Sequence, residues 1–286
     1  MNQEEKLNGK VCLVTGATSG IGEVTALELA RRGGTVVVVS RSPRKCRETV
    51  NTIKQQTENE QVSYLAADLS SQEEIRQLAA DFQSRHQRLD VLVNNAGSLF
   101  WERKESADGI EMTFALNHLN YFLLTNLLLD TLKASEPSRI INVSSGAHRG
   151  QKLNLDNLEL KEDYSPMKAY GRSKLANLYF TYQLARRLTD GGVTINALHP
   201  GLVSTNFARE GKSWLRFIMP LVQVFAKSPQ EGAETSVYLA ASPRVEGVSG
   251  KYFQDKEMVS SSAVSYDQET AERLWEISAE MTGINP

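Results

Sequence analysis

Strand-like and helix-like segments alternate along this 286-residue chain up to about residue 200. Six runs have the β-branched, apolar composition of buried strands: residues 11–15, 35–40, 62–66, 91–94, 140–144 and 193–198. Uninterrupted apolar runs are typical of strands that are covered on both faces, as in a parallel sheet. Between them, apolar residues recur at helical spacing in residues 20–32, 71–85, 109–133 and 166–189. The alternation therefore predicts an α/β fold, a doubly wound parallel sheet of about seven strands with helices on both faces.

The alternation breaks after residue 200. Residues 202–228 are rich in Trp, Phe, Leu and Met, and we expect them to form a lid over a substrate pocket. A helix at 229–241, a last strand at 250–253 and a terminal helix at 270–281 follow. No linker or repeat divides the chain. We therefore expect one domain over residues 1–286, with a core at 9–253 and a C-terminal tail at 254–286.

Composition argues against several classes of protein. The net charge is −2, whereas nucleic-acid binders usually carry a basic excess. Two cysteines, Cys12 and Cys46, cannot build a disulfide framework. The N-terminus has acidic residues and no apolar run of the signal-peptide kind, and no stretch reaches the ~18 apolar residues of a transmembrane anchor. These features predict a soluble, cytoplasmic protein.

A glycine-rich turn joins the first predicted strand to the first helix, with the sequence TGATSGIG at residues 15–22. Glycines permit a tight turn and a close approach of backbone to a pyrophosphate, and the helix N-terminus favours negative charge. The alternative is a capping turn whose glycines serve packing. In the context of strand, turn and helix we predict phosphate contacts from this turn, at Gly16, Thr18, Ser19, Gly20, Ile21 and Gly22.

The end of the second strand indicates which dinucleotide would bind. In a dinucleotide fold this end faces the adenosine ribose, and a carboxylate there would bind the 2′-hydroxyl. Here the strand ends at Ser40 and Arg41 without an acidic residue. A guanidinium forms a forked pair with a phosphate, so the sequence predicts NADP(H) rather than NAD(H). The alternative is a solvated basic start to the next helix.

Tyr170 and Lys174 are four residues apart in a predicted helix, so their side chains share a face. An ammonium beside a tyrosine favours the phenolate, and an oxidised nicotinamide would add to that effect. A phenol tuned in this way acts as an acid in reduction and as a base in oxidation. The alternative is an ordinary surface pair, and these two residues alone would favour it.

Three further polar segments support a reactive site. Ser145 follows the fifth predicted strand, at the edge where open α/β sheets bind ligands, although a serine there can simply end the strand. The sequence NNAG at 94–97 closes the fourth strand, where small residues let a cofactor approach or form a turn. Asn117 lies among apolar residues of helix 109–133, unless its amide faces solvent.

These ordered motifs resemble the short-chain dehydrogenase/reductase family, with its Rossmann-type fold. The turn at 15–22 resembles the family's TGxxxGxG motif, NNAG its adenine-side motif, and YGRSK at 170–174 its YxxxK motif. His199-Pro200-Gly201 with Thr205 resembles the segment that contacts the nicotinamide. The resemblance covers residues 9–253.

The resemblance implies a catalytic tetrad of Asn117, Ser145, Tyr170 and Lys174. Tyr170 would exchange a proton with the substrate oxygen that Ser145 holds. Lys174 would bind the nicotinamide ribose and lower the Tyr170 pKa, and Asn117 would hold a water in a relay to Lys174. Besides Tyr170 and Lys174, the implied cofactor contacts are Asp68, Leu69, Asn94, Ala96, Gly97, Pro200, Gly201, Val203 and Thr205.

The branch of the family and the substrate follow from less specific features. The spacing of 25 residues between Ser145 and Tyr170 resembles the retinol-dehydrogenase-like and WW-domain-oxidoreductase-like branch. The apolar lid predicts a lipophilic aldehyde, ketone or alcohol, although the lid could instead pack on the core, contact a partner or touch a membrane surface. A non-catalytic redox sensor or a scaffold of the same fold is the alternative function. Helices 109–133 and 166–189 resemble those that pair in family dimers, which leaves a homodimer open.

Overall fold

The computed structural model describes residues 6–188, 192–201 and 227–285. In this part of the chain one sheet contains eight strands: β1 Val11–Thr15, β2 Thr35–Ser40, β3 Val62–Ala66, β4 Val91–Asn94, β5 Ser138–Val143, β6 Val193–His199, β7 Lys251–Gln254 and β8 Glu257–Val259. Their order across the sheet is β3-β2-β1-β4-β5-β6-β7-β8. The first seven strands are parallel, and β8 is antiparallel to β7. The α/β doubly wound fold is therefore confirmed.

The described helices connect the strands on both faces of the sheet. They are α1 Gly20–Arg31, α2 Pro43–Thr57, α3 Gln72–Arg85, the single turn α4 Met112–Phe114, α5 Asn120–Ala134, α6 Pro166–Arg187, α7 Pro229–Ala241 and α8 Gln268–Thr282. Local chemistry sets some of the starts. The Ser71 side chain caps α3, and Ser228 with Glu231 forms a reciprocal capping box at α7. Ser228, which we expected in the lid, therefore begins the helix instead.

The core has two layers because successive strand residues point to opposite faces of the sheet. Leu13 and Val37 belong to the layer under α3, α5 and α6. Cys12 and Val36 belong to the layer under α1, α2 and α7. Both cysteines are buried and free. Because the central strands are covered on both sides, uninterrupted apolar runs suit them, as the sequence predicted.

The C-terminal segment contains more structure than we predicted. It contributes the eighth strand, whereas about seven were expected, and α8 packs on α6. Trp275 of α8 contacts Phe122 of α5 and Phe180 of α6, with ring centroids 4.9 and 5.8 Å away. Helix α8 therefore covers part of the α5 and α6 surface that the family resemblance implied for dimer pairing.

The predicted helix at 109–133 is not continuous. Between α4 and α5 the backbone forms a π-helical turn, Ala115–Leu119, which contains Asn117. Such turns are rare and occur frequently at functional sites. Within the three described ranges, no helix is both long and apolar enough to cross a bilayer.

Candidate active site

The candidate site lies at the carboxyl ends of the parallel strands. The chain proceeds from β1 towards β3 in one direction and from β4 towards β7 in the other, so β1 and β4 flank a topological switch point. Open α/β sheets bind ligands in the crevice at such a point. The turn after β1, the NNAG segment after β4 and Ser145 after β5 all lie at this edge.

The turn after β1 has no room for side chains at two of its glycines. Gly16 has a φ of +64°, and a Cβ added there would lie 2.9 Å from the Cα of Ala96. A Cβ on Gly22 would lie 2.4 Å from both the Gly16 carbonyl oxygen and the Asn95 side-chain nitrogen. Ser19 precedes α1 in extended conformation, and its side chain does not cap the helix. The helix N-terminus therefore faces this turn without a side-chain cap, as anion binding requires.

The end of β2 presents the residues from which we predicted cofactor selectivity. Thr18 in the glycine turn donates a hydrogen bond to the Ser40 hydroxyl at 2.9 Å. The Arg41 side chain is 81% exposed, and its guanidinium lies 3.5 Å from a carboxylate oxygen of Asp68. An ion pair this exposed is weak, so the guanidinium can turn to a phosphate at small cost. Asp68, predicted as a cofactor contact, thus lies beside Arg41, while Leu69 is buried in the core.

Tyr170 and Ser145 come together as predicted. The hydroxyl of Tyr170, on α6, is hydrogen-bonded to the side chain of Ser145 after β5. Burial raises the pKa of Tyr170 to about 12, and the Ser145 hydrogen bond opposes that rise only in part. We expected a lowered pKa. That expectation is wrong for the chain alone, because the cost of burying a phenolate outweighs the hydrogen bond from Ser145.

Lys174 is an almost fully buried ammonium on the same helix face as Tyr170. Its side chain is only 3% exposed, and its Nζ donates to the Val143 carbonyl oxygen at 2.9 Å. The Nζ lies 5.7 Å from the centre of the Tyr170 ring and 5.5 Å from that of Tyr121. Burial lowers its pKa to about 7, from 10.5. The solvent-exposed pair that we considered as the alternative is therefore excluded.

Asn117 is fully buried in the π-helical turn, which excludes the solvent-facing alternative. Its side-chain oxygen accepts from the Ser98 backbone nitrogen at 2.8 Å, and its side-chain nitrogen donates to the Ser98 carbonyl and to the Ser173 hydroxyl. The amide thus joins the segment after β4 to α6. A Cβ on Gly97 would lie 3.1 Å from the Asn117 side-chain oxygen and 3.2 Å from the Lys174 Nζ, so these groups converge on Gly97.

Asn94 serves the core more than the crevice. Its side-chain nitrogen donates to Thr125 and to Asn142, both at 2.9 Å, and the residue is fully buried. The predicted cofactor contact of Asn94 therefore does not come from this nitrogen. Ala96 is 7% exposed and packs close to Gly16, as a narrow crevice requires.

The nicotinamide end of the predicted site is described only in part. Pro200 and Gly201 follow β6 at the same sheet edge, and Gly201 has a φ of +89°. Val203, Thr205 and all but the last two residues of the predicted lid at 202–228 lie outside the described residues.

Sequence reasoning missed the residues that support the crevice from behind. Asn95 donates its side-chain nitrogen to the Thr15 carbonyl at 2.8 Å, and the Thr15 hydroxyl accepts from the backbone nitrogens of Asn95 and Ala96. These bonds fix the glycine turn to the NNAG segment. The sequence offered one indication of this contact. Thr15 ends one predicted strand and Asn95 directly follows another, and parallel strands bring such polar residues to the same edge of the sheet.

The described residues fit a dinucleotide. Two glycines leave a cradle that a Cβ would fill, α1 begins without a side-chain cap, and an exposed guanidinium lies at the end of β2. At the other end, a buried ammonium, a phenol and two hydrogen-bonding side chains converge. Gly16 and α1 would hold the pyrophosphate, Arg41 the adenosine end and Lys174 the nicotinamide ribose. A nicotinamide would supply hydride chemistry beside Tyr170 and Ser145.

A family model described as short chain dehydrogenase matches residues 10–216 of the chain. The chain belongs to this family. The short-chain dehydrogenase is 43% identical to human retinol dehydrogenase 13 over 96% of this chain and 85% of that protein. It is 42% identical to human retinol dehydrogenase 11 over 98% of this chain and 87% of that protein.

Solved structures agree with the sequence relatives. An uncharacterised protein from Mycobacterium paratuberculosis has a TM-score of 0.79 and 33% identity, covering 97% of this chain and 95% of its own. The Pseudomonas aeruginosa RhlG/NADP active-site complex has a TM-score of 0.71 and 27% identity, covering 88% and 97%. Together these matches confirm a retinol-dehydrogenase-like short-chain dehydrogenase/reductase, an oxidoreductase that acts on alcohol and carbonyl groups.

Proposed function

We propose that this dehydrogenase uses NADP(H) to interconvert a lipophilic alcohol and its aldehyde or ketone, with Tyr170 as the proton donor and acceptor. The observation that carries the proposal is the hydrogen bond between Tyr170 and Ser145 beside the buried ammonium of Lys174. A phenol, a hydroxyl and a cation at one sheet edge are the groups that a carbonyl oxygen needs while it gains or loses a proton.

The cofactor preference rests on the end of β2. Ser40 and Arg41 occupy the place where a carboxylate would favour a free ribose 2′-hydroxyl, and Arg41 is 81% exposed. A guanidinium that is held only by an exposed ion pair is available to a 2′-phosphate. RhlG, one of the structural neighbours, is described as an NADP complex, which supports the same preference.

In the chemical step, the chain's own groups manage the substrate oxygen and its proton. The Ser145 hydroxyl donates to that oxygen and orients it. Tyr170 is protonated at neutral pH, and burial raises its pKa further, to about 12. In reduction it gives its proton to the oxygen of the carbonyl group. In the reverse direction a positive charge near the phenol would have to favour the phenolate.

The substrate class follows from the relatives and from the sequence between β6 and α7. The relatives reported above are named retinol dehydrogenases, and retinol is a lipophilic alcohol. Residues 214–219 of this chain read WLRFIM, which is predominantly apolar. A lipophilic carbonyl compound or alcohol, retinal or retinol included, is the class that both features support.

The decisive experiment measures NADPH oxidation against aldehydes and ketones graded by chain length and ring size, with retinal among them. Tyr170→Phe should abolish turnover and keep the Kd for NADPH within about twofold, because the ring still fills its place. Tyr238→Phe, on α7 across the sheet, is the matched control and should keep full activity. Undiminished turnover in Tyr170→Phe would refute the role of the phenol. Cofactor binding with no turnover of any substrate by the unaltered protein would support the redox-sensor alternative.

Two further expectations stay predictions. A homodimer through α5 and α6 would have to form beside α8, which covers part of that surface. Light scattering of the purified protein measures its mass directly. The cytoplasmic location expected from the sequence also stays a prediction.

A further inference from the structure

We infer that two buried histidines, His148 and His118, are positioning residues that fasten the candidate catalytic groups to the C-terminal segment of the chain. The inference rests on the proposed roles of Ser145 and Asn117. It assigns a function to residues 262–278, which the sequence presented as a tail, and to two side chains that the proton transfer itself does not use.

His148 bridges Ser145 to the segment after β8. Its Nδ1 lies 2.6 Å from the Ser145 carbonyl oxygen, and its Nε2 lies 3.1 Å from the Ser262 backbone nitrogen. The residue is fully buried, and Tyr252 packs edge-on against its ring at a centroid distance of 5.3 Å. One imidazole ring therefore links the main chain of Ser145 directly to the main chain of Ser262.

The partners of His148 fix its protonation state. A carbonyl oxygen only accepts and a backbone N–H only donates, so Nδ1 carries the proton and Nε2 is the acceptor. A protonated imidazole would set an N–H against the Ser262 N–H. Burial, the main cause, lowers the pKa of His148, which keeps this neutral form at physiological pH. Both ring nitrogens are therefore occupied by main-chain groups and are not available for proton transfer.

His118 makes the corresponding link for Asn117. Asn177, one turn beyond Lys174 on α6, donates its side-chain nitrogen to the Asn117 carbonyl oxygen at 2.9 Å. The side-chain oxygen of Asn177 lies 3.3 Å from the Nδ1 of His118, and the Nε2 of His118 lies 3.0 Å from the Ser278 hydroxyl on α8. All four residues are no more than 1% exposed. The carbonyl in the π-helical turn is thus connected to α8.

The two links are independent and end on the same segment. One runs from Ser145 through His148 to Ser262, and the other from Asn117 through Asn177 and His118 to Ser278. Displacement of a catalytic group by about 1 Å can cost on the order of 100-fold in rate. Two rigid bridges to one segment therefore position both sides of the candidate site.

The test separates the two ends of the His148 bridge. An asparagine nitrogen can replace Nδ1 and keep the bond to Ser145, whereas a glutamine oxygen can replace Nε2 and keep only the bond to Ser262. For His148→Phe we expect kcat to fall ~10- to 100-fold, with the Kd for NADPH within about twofold of the unaltered value. Because the bridge needs both of its ends, neither His148→Asn nor His148→Gln should recover most of the lost kcat, and such a recovery by either variant would overturn the inference. His86→Asn is the control, because His86 stacks on Phe82 at the end of α3, and it should keep full activity.

A purely structural role predicts a different pattern. It would make all three His148 variants lose activity in proportion to their loss of thermal stability, and that result, or activity of His148→Phe within twofold of the unaltered protein, would overturn the inference. For the second link, Ser278→Ala removes a hydroxyl on α8 and should lower kcat ~3- to 10-fold at unchanged Kd for NADPH. Full activity of this variant would refute the role of that link.

Nitrogen NMR of the imidazole rings distinguishes this inference from the proposed function. In the unaltered protein His148 should show a protonated Nδ1 and an acceptor Nε2, whatever substrate the enzyme turns over. The opposite tautomer would refute the bridge directly. An enzyme inactive on every carbonyl tested but with the expected tautomer would count against the proposed function, while the bridge from Ser145 to Ser262 would stand.

Discussion

Replacement of Lys174 by methionine should make the cofactor-free protein more stable and inactive. Burial lowers the pKa of Lys174 from 10.5 to about 7. One pKa unit corresponds to about 1.36 kcal/mol, so the folded chain loses about 4 kcal/mol at pH 7 by enclosing this amine. Methionine has a similar length and no charge. It loses a hydrogen bond of about 1 kcal/mol to Val143, but that carbonyl keeps a bond from the Tyr121 hydroxyl at 3.3 Å.

The net gain for Lys174→Met should be about 2 to 3 kcal/mol at pH 7, and its dependence on pH identifies the cause. The folded-state pKa is the lower one, so between pH 7 and 10.5 the unfolded chain binds more protons than the folded chain. Stability of the unaltered protein therefore rises with pH across this window. Because methionine does not titrate, the advantage of the variant should shrink by about 2 kcal/mol between pH 7 and pH 9.

Urea unfolding of the cofactor-free proteins at several pH values between 6 and 9.5 measures this difference. Lys133→Met is the matched control, because Lys133 is an exposed residue at the end of α5, and it should change stability by less than ~0.5 kcal/mol at every pH. A Lys174→Met protein that is less stable than the unaltered one, with a difference that does not vary with pH, would refute the reasoning. Turnover should be lost in either case.

Three further variants test the crevice and its support. Arg41→Ala should weaken NADPH binding ~10-fold and leave NADH binding within twofold, as fluorescence titration would show; an equal effect on both would exclude a 2′-phosphate contact. Gly22→Ala places a Cβ 2.4 Å from the Gly16 carbonyl oxygen, so it should lower the free energy of unfolding in urea by about 1–3 kcal/mol and also weaken NADPH binding. An unchanged stability and an unchanged Kd for NADPH would contradict this close approach. Trp275→Ala should cost about 3–5 kcal/mol, because this 6% exposed ring packs on Phe122 and Phe180; a cost under ~1 kcal/mol would mean that α8 is loosely attached.

Local sequence signals predicted the parts of the fold that local chemistry determines. The strands β1 to β4 have the predicted bounds, because each is a short run with β-branched or apolar residues between turn residues. The expected full burial is wrong for β3, which lies at the edge of the sheet and is exposed at Ser63 and Ala66. Helix α7 also has its predicted bounds, since Ser228, Pro229 and Glu231 specify its first turn. The pairing of Tyr170 with Ser145 followed from the family resemblance, whose tetrad includes both side chains, because a serine at a strand end can also simply end the strand.

The features that were not predicted depend on contacts between distant parts of the chain. The strand β8 exists because it can pair with β7, and its sequence alone lacks the apolar run of a buried strand. The π-helical turn at Ala115–Leu119 accompanies hydrogen bonds of Asn117 to Ser98 and Ser173, which lie on other elements. Similarly, the pKa of Tyr170 depends on how deeply the phenol is buried, and a one-turn spacing to a lysine says nothing about that depth.

Two energetically costly features of this structure lie where the proposed chemistry would occur. Lys174 is a buried amine, and the capping residue of α1 makes no side-chain cap. A chain optimised for stability alone would replace these groups, so their presence at one sheet edge supports a site there. A bound dinucleotide would supply partners for the ammonium and for α1, and cofactor binding should therefore stabilise the fold at this edge more than elsewhere.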